Sequence, residues 1–275
     1  MAVESNIPIE TEVFGVTYER YALQKLFARL SRRLELSRVI EMPATGAKAM
    51  PSLYSLGFAL AGCQVALVDA ELEAMRLWYR AELGAQLTLI ASDELGQECA
   101  SGRCWDLCWN FAVLPTAQNP EKLVQRMASL SREWLLLVGV NRFNVGFPFH
   151  RAVHRRHNIP WSHGDLQFFS PFDTSAFLAN LGFRDIHWGV VDCPPWPDSL
   201  GFRDLRLHRR ADRRLQWHSP YVEHLIENHF PLWLKLVYAG ERMPLPRWMK
   251  LPAAHLFYVY CRTPHEAAER AANSD

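Results

Sequence analysis

No run of about twenty uncharged apolar residues occurs in this 275-residue chain, so no segment reads as a membrane-crossing helix. The first residues, MAVESNIPIETEV, hold no basic stretch leading into an apolar one; no secretory leader is read there, and a soluble, cytoplasmic protein is expected. Cysteine is sparse. Six in a chain this long do not make a disulfide framework, and Cys63 and Cys261 fall within apparent strands, where buried thiols are common. The formal net charge is +1, far from the strongly basic balance that nucleic-acid binding asks for, and no nucleic acid is expected as a partner. The charge is unevenly spread, with eight Lys/Arg against eleven Asp/Glu over residues 38–141 and seventeen against thirteen over 142–275. That asymmetry fits a cationic ligand on the first half and an anionic or polar one on the second. Hydrophobic residues make up 49%, enough for one large domain with a sizeable core and an insertion.

Glycine is also missing from a place that matters. Arg38 to Ala70, RVIEMPATGAKAMPSLYSLGFALAGCQVALVDA, reads as strand, turn, helix and strand. Val39 and Ile40 begin an apolar strand that Glu41 closes, and Pro43-Ala44-Thr45-Gly46 supplies turn chemistry. Ser52 to Ala61 then sets apolar residues at helical spacing, Gly62 fits the helix stop, and Gln64 to Val68 is the second strand. Asp69 sits at its carboxyl end, where a carboxylate can accept both hydroxyl hydrogens of a ribose. The same order of elements also builds a parallel sheet with no ligand at all. What favours a nucleotide-like ligand is the set of strand-end acids, Glu41, Asp69, and Ser92-Asp93 after a third strand at Leu87 to Ala91. A dinucleotide-binding turn carries three glycines so that backbone can touch a pyrophosphate, and here Gly46 stands alone. A cofactor without phosphates asks less of that turn, which points to S-adenosylmethionine rather than NAD.

On these residues the chain resembles the class I S-adenosylmethionine-dependent methyltransferases. IEMPATG stands where that family's first motif stands, VALVDA matches its second strand and ribose-binding acid, and IASD matches the third strand and its adenine-side acid. Methyltransferases with a proline-containing first motif, an Asn-rich loop after the fifth strand and an HRxxH segment are more similar still. The resemblance spans about Tyr18 to Arg262. It implies an α/β, three-layer Rossmann-like fold whose seven-stranded sheet is mostly parallel with an antiparallel last strand, and an enzyme that uses S-adenosylmethionine. The cofactor residues it implies are Glu41, Pro43, Thr45, Gly46, Asp69, Ala70, Ser92, Asp93, Asn110 and Phe111. Pro43 and Thr45 replace residues that are usually glycine, so the turn has lost a backbone N–H and some freedom. That departure keeps open a function of another class, a methyltransferase-fold subunit that binds or assembles without catalysing.

Elsewhere the chain reads as alternating helices and strands. Thr17 to Glu35 is an amphipathic helix ahead of the sheet, where Tyr18 or Tyr21 could touch a cofactor or simply pack in the core. Tyr21-x-x-x-Lys25 matches a dehydrogenase pair but precedes the cofactor turn, and is read as helix surface. Glu71 to Glu82 is a helix stopped by Gly84, Trp105 to Phe111 the fourth strand, Pro120 to Ser131 a helix capped by Asn119, and Trp134 to Val140 the fifth strand. Asn110 would orient groups by hydrogen bonds or serve as a strand-end turn residue. Cys99, Cys104 and Cys108 match no zinc spacing, and no metal is assigned. A helix over Phe172 to Leu181, a strand over Phe183 to Cys193 and a final strand over His255 to Cys261 complete the set.

The segment after the fifth strand, VNRFNVGFPFHRAVHRRHNIPWSHGDLQFF, is the richest in reactive groups. His150 and His154 share a helix face if Phe149 to Arg156 is helical, and His163 and Asp165 follow a Pro160-Trp161 turn. Three imidazoles and a carboxylate could bind zinc or supply a general base. The catalytic assignment is His154 or His163 with Asp165 as orienter, and Asn141, Asn144, His150 and Arg151 are assigned to the acceptor. Residues 1–37 are read as a helical segment, 38–193 and 254–264 as the methyltransferase domain, and 194–253 as an inserted helical lid. The lid holds six arginines in FRDLRLHRRADRRL and tryptophans at 217, 233 and 248, which allow either a solvated face or a peripheral membrane contact through residues 201–250. The expected reaction is methyl transfer to an oxygen or nitrogen of a small-molecule or lipid-linked acceptor.

Overall fold

The computed structural model describes residues 9–45, 52–95, 105–196 and 216–264. A short strand β1 (Ile9–Thr11) leads into helix α1 (Phe14–Arg33), whose inner face buries Tyr18, Leu23, Leu26, Phe27 and Leu30. The first half-unit then runs β2 (Arg38–Glu41), α2 (Leu56–Ala59) and β3 (Gln64–Val68), followed by α3 (Leu72–Arg80), β4 (Leu87–Ile90) and β5 (Trp105–Phe111). The second half adds α4 (Pro120–Leu130), β6 (Ser131–Val140), α5 (Phe147–Arg156), α6 (Pro171–Asn180) and β7 (Arg184–Val191). Then come β8 (Gln216–His218), α7 (Pro220–Ile226), α8 (Leu232–Glu241), α9 (Arg247–Lys250) and β9 (Leu256–Arg262).

Seven strands form one sheet in the order β4-β3-β2-β5-β6-β9-β7. All pairings are parallel except those of β9, which runs antiparallel to both β6 and β7. This is the expected topology. Apolar residues of alternate positions cover the two faces. On one, Val39, Val65, Leu107, Trp109 and Leu136 pack against α1, α2 and α3, with Phe27 stacked on Phe58 at 4.2 Å between ring centroids. On the other, Ile40, Ala66, Cys108, Leu135 and Leu137 meet Val124 and Met127 of α4 and Leu178 of α6. Burying each such side chain contributes roughly 1.5–3 kcal/mol.

Several boundaries differ from those read in the sequence, each for a local reason. The helix expected over Ser52 to Ala61 is helical only at Leu56–Ala59, because Ser52 and Ser55 turn their hydroxyls inward to Glu41. Helix α3 ends before Gly84: Glu82 takes the left-handed conformation (φ 60°), and Gly84 begins a 3-10 turn instead. Asn119 caps α4 as expected, its Oδ1 accepting the Lys122 N–H at 2.8 Å. A two-stranded parallel pair, β1 with β8, was not legible in the sequence. It pairs residues 216–218 with residues 9–11; Tyr238 of α8 and Phe230, in the loop before it, both pack on Tyr21 of α1.

Candidate active site

The carboxyl ends of the strands line one edge of the sheet, and backbone bonds lace that edge across its width. Asp69 N–H donates to Ile90 O (3.0 Å), Ala44 N–H to Val68 O (2.7 Å), Met42 N–H to Trp109 O (2.9 Å) and Ala112 N–H to Val138 O (2.7 Å). Farther on, Asn141 N–H donates to His255 O and His255 N–H to Asp192 O, both at 2.8 Å. The parallel strands therefore deliver their following residues to this rim, and antiparallel β9 brings its preceding residue, His255, to the same place.

Glu41 is buried at the end of β2. Ser52 and Ser55 donate to its two oxygens at 2.5 and 2.6 Å, and Trp109 Nε1 donates to Ser55 Oγ at 3.0 Å. Burial pushes its carboxyl up to about 7, with the serine bonds acting in the opposite direction. Its oxygens are thus directed to the turn it supports, a departure from the expectation that they face a ligand. Pro43 is half-buried and Thr45 exposed, while Gly46 lies outside the described residues. Asp69 is exposed in the left-handed conformation (φ 56°), and its Oδ1 accepts the Ser92 N–H at 2.9 Å. Ala70 packs at the margin of the core, Asp93 is exposed, and Ser92 O accepts from Arg126 Nη2 at 3.0 Å. Asn110 is buried, its Nδ2 against Met127 Sδ at 3.3 Å, and its Oδ1 has no hydrogen-bond partner among the described residues. Phe111 stacks on Tyr54 at 4.1 Å, and the Tyr54 hydroxyl donates to Glu19 Oε1 at 2.8 Å.

The loop after β6 corrects two expectations. Asn141 donates from Nδ2 to Leu251 O (2.7 Å) and Ala254 O (2.9 Å) and accepts the Phe143 N–H, and it is fully buried. Asn144 likewise donates to Ala254 O and accepts the Gly146 N–H. Both amides hold the loop to the segment before β9, so neither presents a group to an acceptor. Asp165 is not the orienter of a histidine either, since its Oδ1 accepts the Gln167 N–H at 2.8 Å as the cap of a short 3-10 turn.

The histidines do come together. His150 and His154, buried on one face of α5, and half-buried His163 face one another through ring nitrogens: His163 Nε2 lies 3.2 Å from His150 Nε2 and 3.3 Å from His154 Nε2. His154 Nδ1 sits 3.2 Å from Ile159 O. The Trp161 ring packs on all three imidazoles, and exposed Arg151 places its guanidinium 5.9 Å from that ring's centroid. The histidine loop is fastened to the loop that follows β5, with Asp165 N–H donating to Pro115 O at 2.8 Å.

A carboxylate–imidazole pair exists where it was not expected. His255 Nδ1 lies 3.0 Å from Asp192 Oδ2, and His255 Nε2 lies 3.2 Å from Trp196 O. Burial raises the Asp192 carboxyl, the imidazole acting against that shift. Beside it Tyr18 OH and Cys193 N–H both donate to Glu241 Oε2, at 2.7 and 3.0 Å. The rule that an acid ends each strand, used for the first three, would have found Asp192 in VVDC had it been carried on to the sixth.

No protein-family profile and no curated protein matches this chain. Among solved structures it is similar to the magnesium protoporphyrin IX methyltransferase of Synechocystis with bound S-adenosylhomocysteine, at 19% identity, covering 64% of this chain and 78% of that one with a TM-score of 0.46. It is also similar to a plantazolicin methyltransferase in complex with a substrate analogue and S-adenosylhomocysteine (11% identity, 92% and 86% covered, TM-score 0.45). A third is a possible histamine N-methyltransferase of Thermotoga maritima (9% identity, 90% and 91% covered, TM-score 0.46). The chain has the class I methyltransferase fold, an assignment that rests on its own strand order and on the reversed final strand between β6 and β7.

Proposed function

We propose that the protein is an S-adenosylmethionine-dependent methyltransferase acting at the carboxyl rim of the sheet. The observation that carries this is Asp69, an exposed carboxylate at the end of β3, set by the Ser92 N–H and placed in a sheet of methyltransferase order. Two features fit the cofactor. Asp69 can accept ribose hydroxyl hydrogens, and Asn110 Oδ1 is a buried acceptor, lacking a donor among the described residues, near the end of β5. Asp93 would serve the adenine side, and Glu41 would act through the turn that Ser52 and Ser55 shape. When bound, the cofactor supplies a methyl group on a sulfonium. The chain's own residues then have two tasks, to align an acceptor and to take up its proton. The histidine loop, bonded to the loop after β5, supplies imidazole chemistry on that side, with Arg151 beside it. The acceptor is read as an oxygen or nitrogen nucleophile on a small or lipid-linked molecule. Residues 194–253 would cover it. Exposed Leu232, Leu236, Met243, Leu245 and Trp248 in that stretch support a peripheral membrane contact, which vesicle flotation would check.

Calorimetry with S-adenosylmethionine and S-adenosylhomocysteine tests the reading. Both should bind, and Asp69→Ala should weaken binding by about tenfold to a hundredfold, as expected for a hydrogen bond to a charged group. No binding at millimolar ligand would leave the non-catalytic subunit as the better account.

A further inference from the structure

We propose that His150, His154 and His163 form a metal site that takes a single divalent ion, zinc in the first instance, through their three Nε2 atoms. The ligand atoms of the three residues all lie within 4.8 Å of one another. Zinc–nitrogen bonds of about 2.0–2.1 Å in a tetrahedral site put neighbouring ligand nitrogens about 3.3–3.4 Å apart. The two Nε2–Nε2 separations at His163, 3.2 and 3.3 Å, match that spacing with little movement needed.

Protons alone account poorly for the arrangement. The carbonyl of Ile159 can only accept, so His154 Nδ1, 3.2 Å away, carries the hydrogen and the neutral ring has its lone pair on Nε2. His163 Nε2 approaches two imidazole nitrogens at once, and one N–H can point at only one of them. A cation accepts lone pairs from all three rings. The carbonyl bond on the far nitrogen of His154 is also the outer contact that orients metal-binding imidazoles and fixes their tautomer.

The scaffold is built to hold this geometry. A helical spacing of four sets His150 and His154 one above the other on α5. His163 is fixed by the turn that follows it. Gly164 is left-handed (φ 83°), a Cβ there would clash with Pro115 O, and Trp161 Nε1 donates to Gly164 O at 2.9 Å. Trp161 forms an apolar wall against all three rings, and Phe147 packs on both His150 and Trp161. Imidazoles without a thiolate suit zinc, and three protein ligands with half-buried His163 on the open side leave a fourth position for water or another ligand. A hydroxyl entering that position would lose its proton far more readily than in water, so with zinc bound the ion takes over the proton task given above to the imidazoles. That last step rests on the methyltransferase reading; the metal site does not.

The test uses the full-length chain, stripped with a chelator and titrated with zinc in the absence of any cofactor, with bound metal counted by elemental analysis. One zinc per chain is expected, with affinity falling in acid because protonated imidazoles cannot ligate. His163→Ala should weaken binding by about a hundredfold or more, while His157→Ala, an exposed histidine at the end of the same helix, should keep the full equivalent. Thermal unfolding of metal-free His163→Ala close to that of metal-free wild type would show that the loss is one of ligand and not of fold. Cobalt in place of zinc should give the visible absorption of a tetrahedral site in the wild type and lose it in the variant. Less than a fifth of an equivalent bound by wild type at micromolar free zinc, or undiminished binding by His163→Ala, would overturn the proposal. Neither result depends on S-adenosylmethionine, so the site and the methyltransferase reading stand or fall separately.

Discussion

Glu12→Gln should destabilise the protein severely although Glu12 is remote from the histidines. Its carboxylate is fully enclosed, and so is its partner, the Arg20 guanidinium. Arg20 Nη2 donates to Glu12 Oε1 at 2.6 Å, Arg20 Nε reaches both oxygens at 3.1 and 3.2 Å, and Ser219 Oγ donates to Oε2 at 2.6 Å. One carboxylate therefore joins the segment after β1, helix α1 and the residue that precedes α7. Removing its charge takes away the carboxylate paired directly with a buried guanidinium, a change that costs about 3–5 kcal/mol, or roughly 6–15 °C in Tm for a chain of this size. Replacing both partners by neutral groups, Glu12→Gln with Arg20→Met, removes the two desolvated charges together and should cost less than Glu12→Gln alone. Denaturant unfolding followed by circular dichroism for wild type, both single variants and the double closes the cycle. Arg20 also lies over the Tyr54 ring, 4.8 Å from its centroid, so the single variants should loosen the Tyr54–Phe111 stack at the rim. A Glu12→Gln variant within about 1 kcal/mol of wild type, or a double variant that loses as much as the two singles added together, would show that the buried pair is not coupled in this way.

The Glu41 carboxyl gives a pH signature. Its pKa is raised from 4.5 to about 7 in the folded chain, so the folded state binds the extra proton, and this contribution to stability is full below 4.5 and is lost as pH rises through 7. Glu41→Gln should therefore gain on wild type between pH 5 and pH 8 in urea midpoints, and a difference that does not change with pH would sink the assignment. Asn141→Ala strips partners from two buried carbonyls and the Phe143 N–H and should cost about 2–4 kcal/mol in the same assay. A loss below about 0.5 kcal/mol would mean that water or neighbouring groups replace the amide.

The inner sheet was readable because β2, β3, β5 and β6 are buried on both faces and so appear as short apolar runs; β3 and β5 fall on the residues expected. The place of Asp69, one residue past β3, was legible because it is local information. Asn141 and Asn144 could not be judged this way, since their partners lie about 110 residues later. The Asp192–His255 pair spans 63 residues and forms only because β9 enters between β6 and β7. Asp165 misled for the opposite reason. Two residues from His163, it was read as the imidazole's partner, but a carboxylate preceding a helical turn finds the turn's own N–H groups closer. His150, His154 and His163 were recognised as a group from spacing, yet the convergence of their nitrogens depends on the left-handed bend at Gly164.

The position of β9 has a consequence for synthesis on the ribosome. Strands β3 to β6 can pair as they emerge, because each finds a parallel neighbour among residues already made. Strand β7 cannot, since its one partner in the sheet is β9, which begins some sixty-five residues after β7 ends at Val191. Until that last strand is translated, β7 presents an unsatisfied edge and His255 is missing from the rim. A nascent chain stalled before Leu256 should hence be sticky and protease-sensitive while its β4-β3-β2-β5-β6 strands are already paired. The β6-β9-β7 side of the sheet therefore closes only after β9 is made.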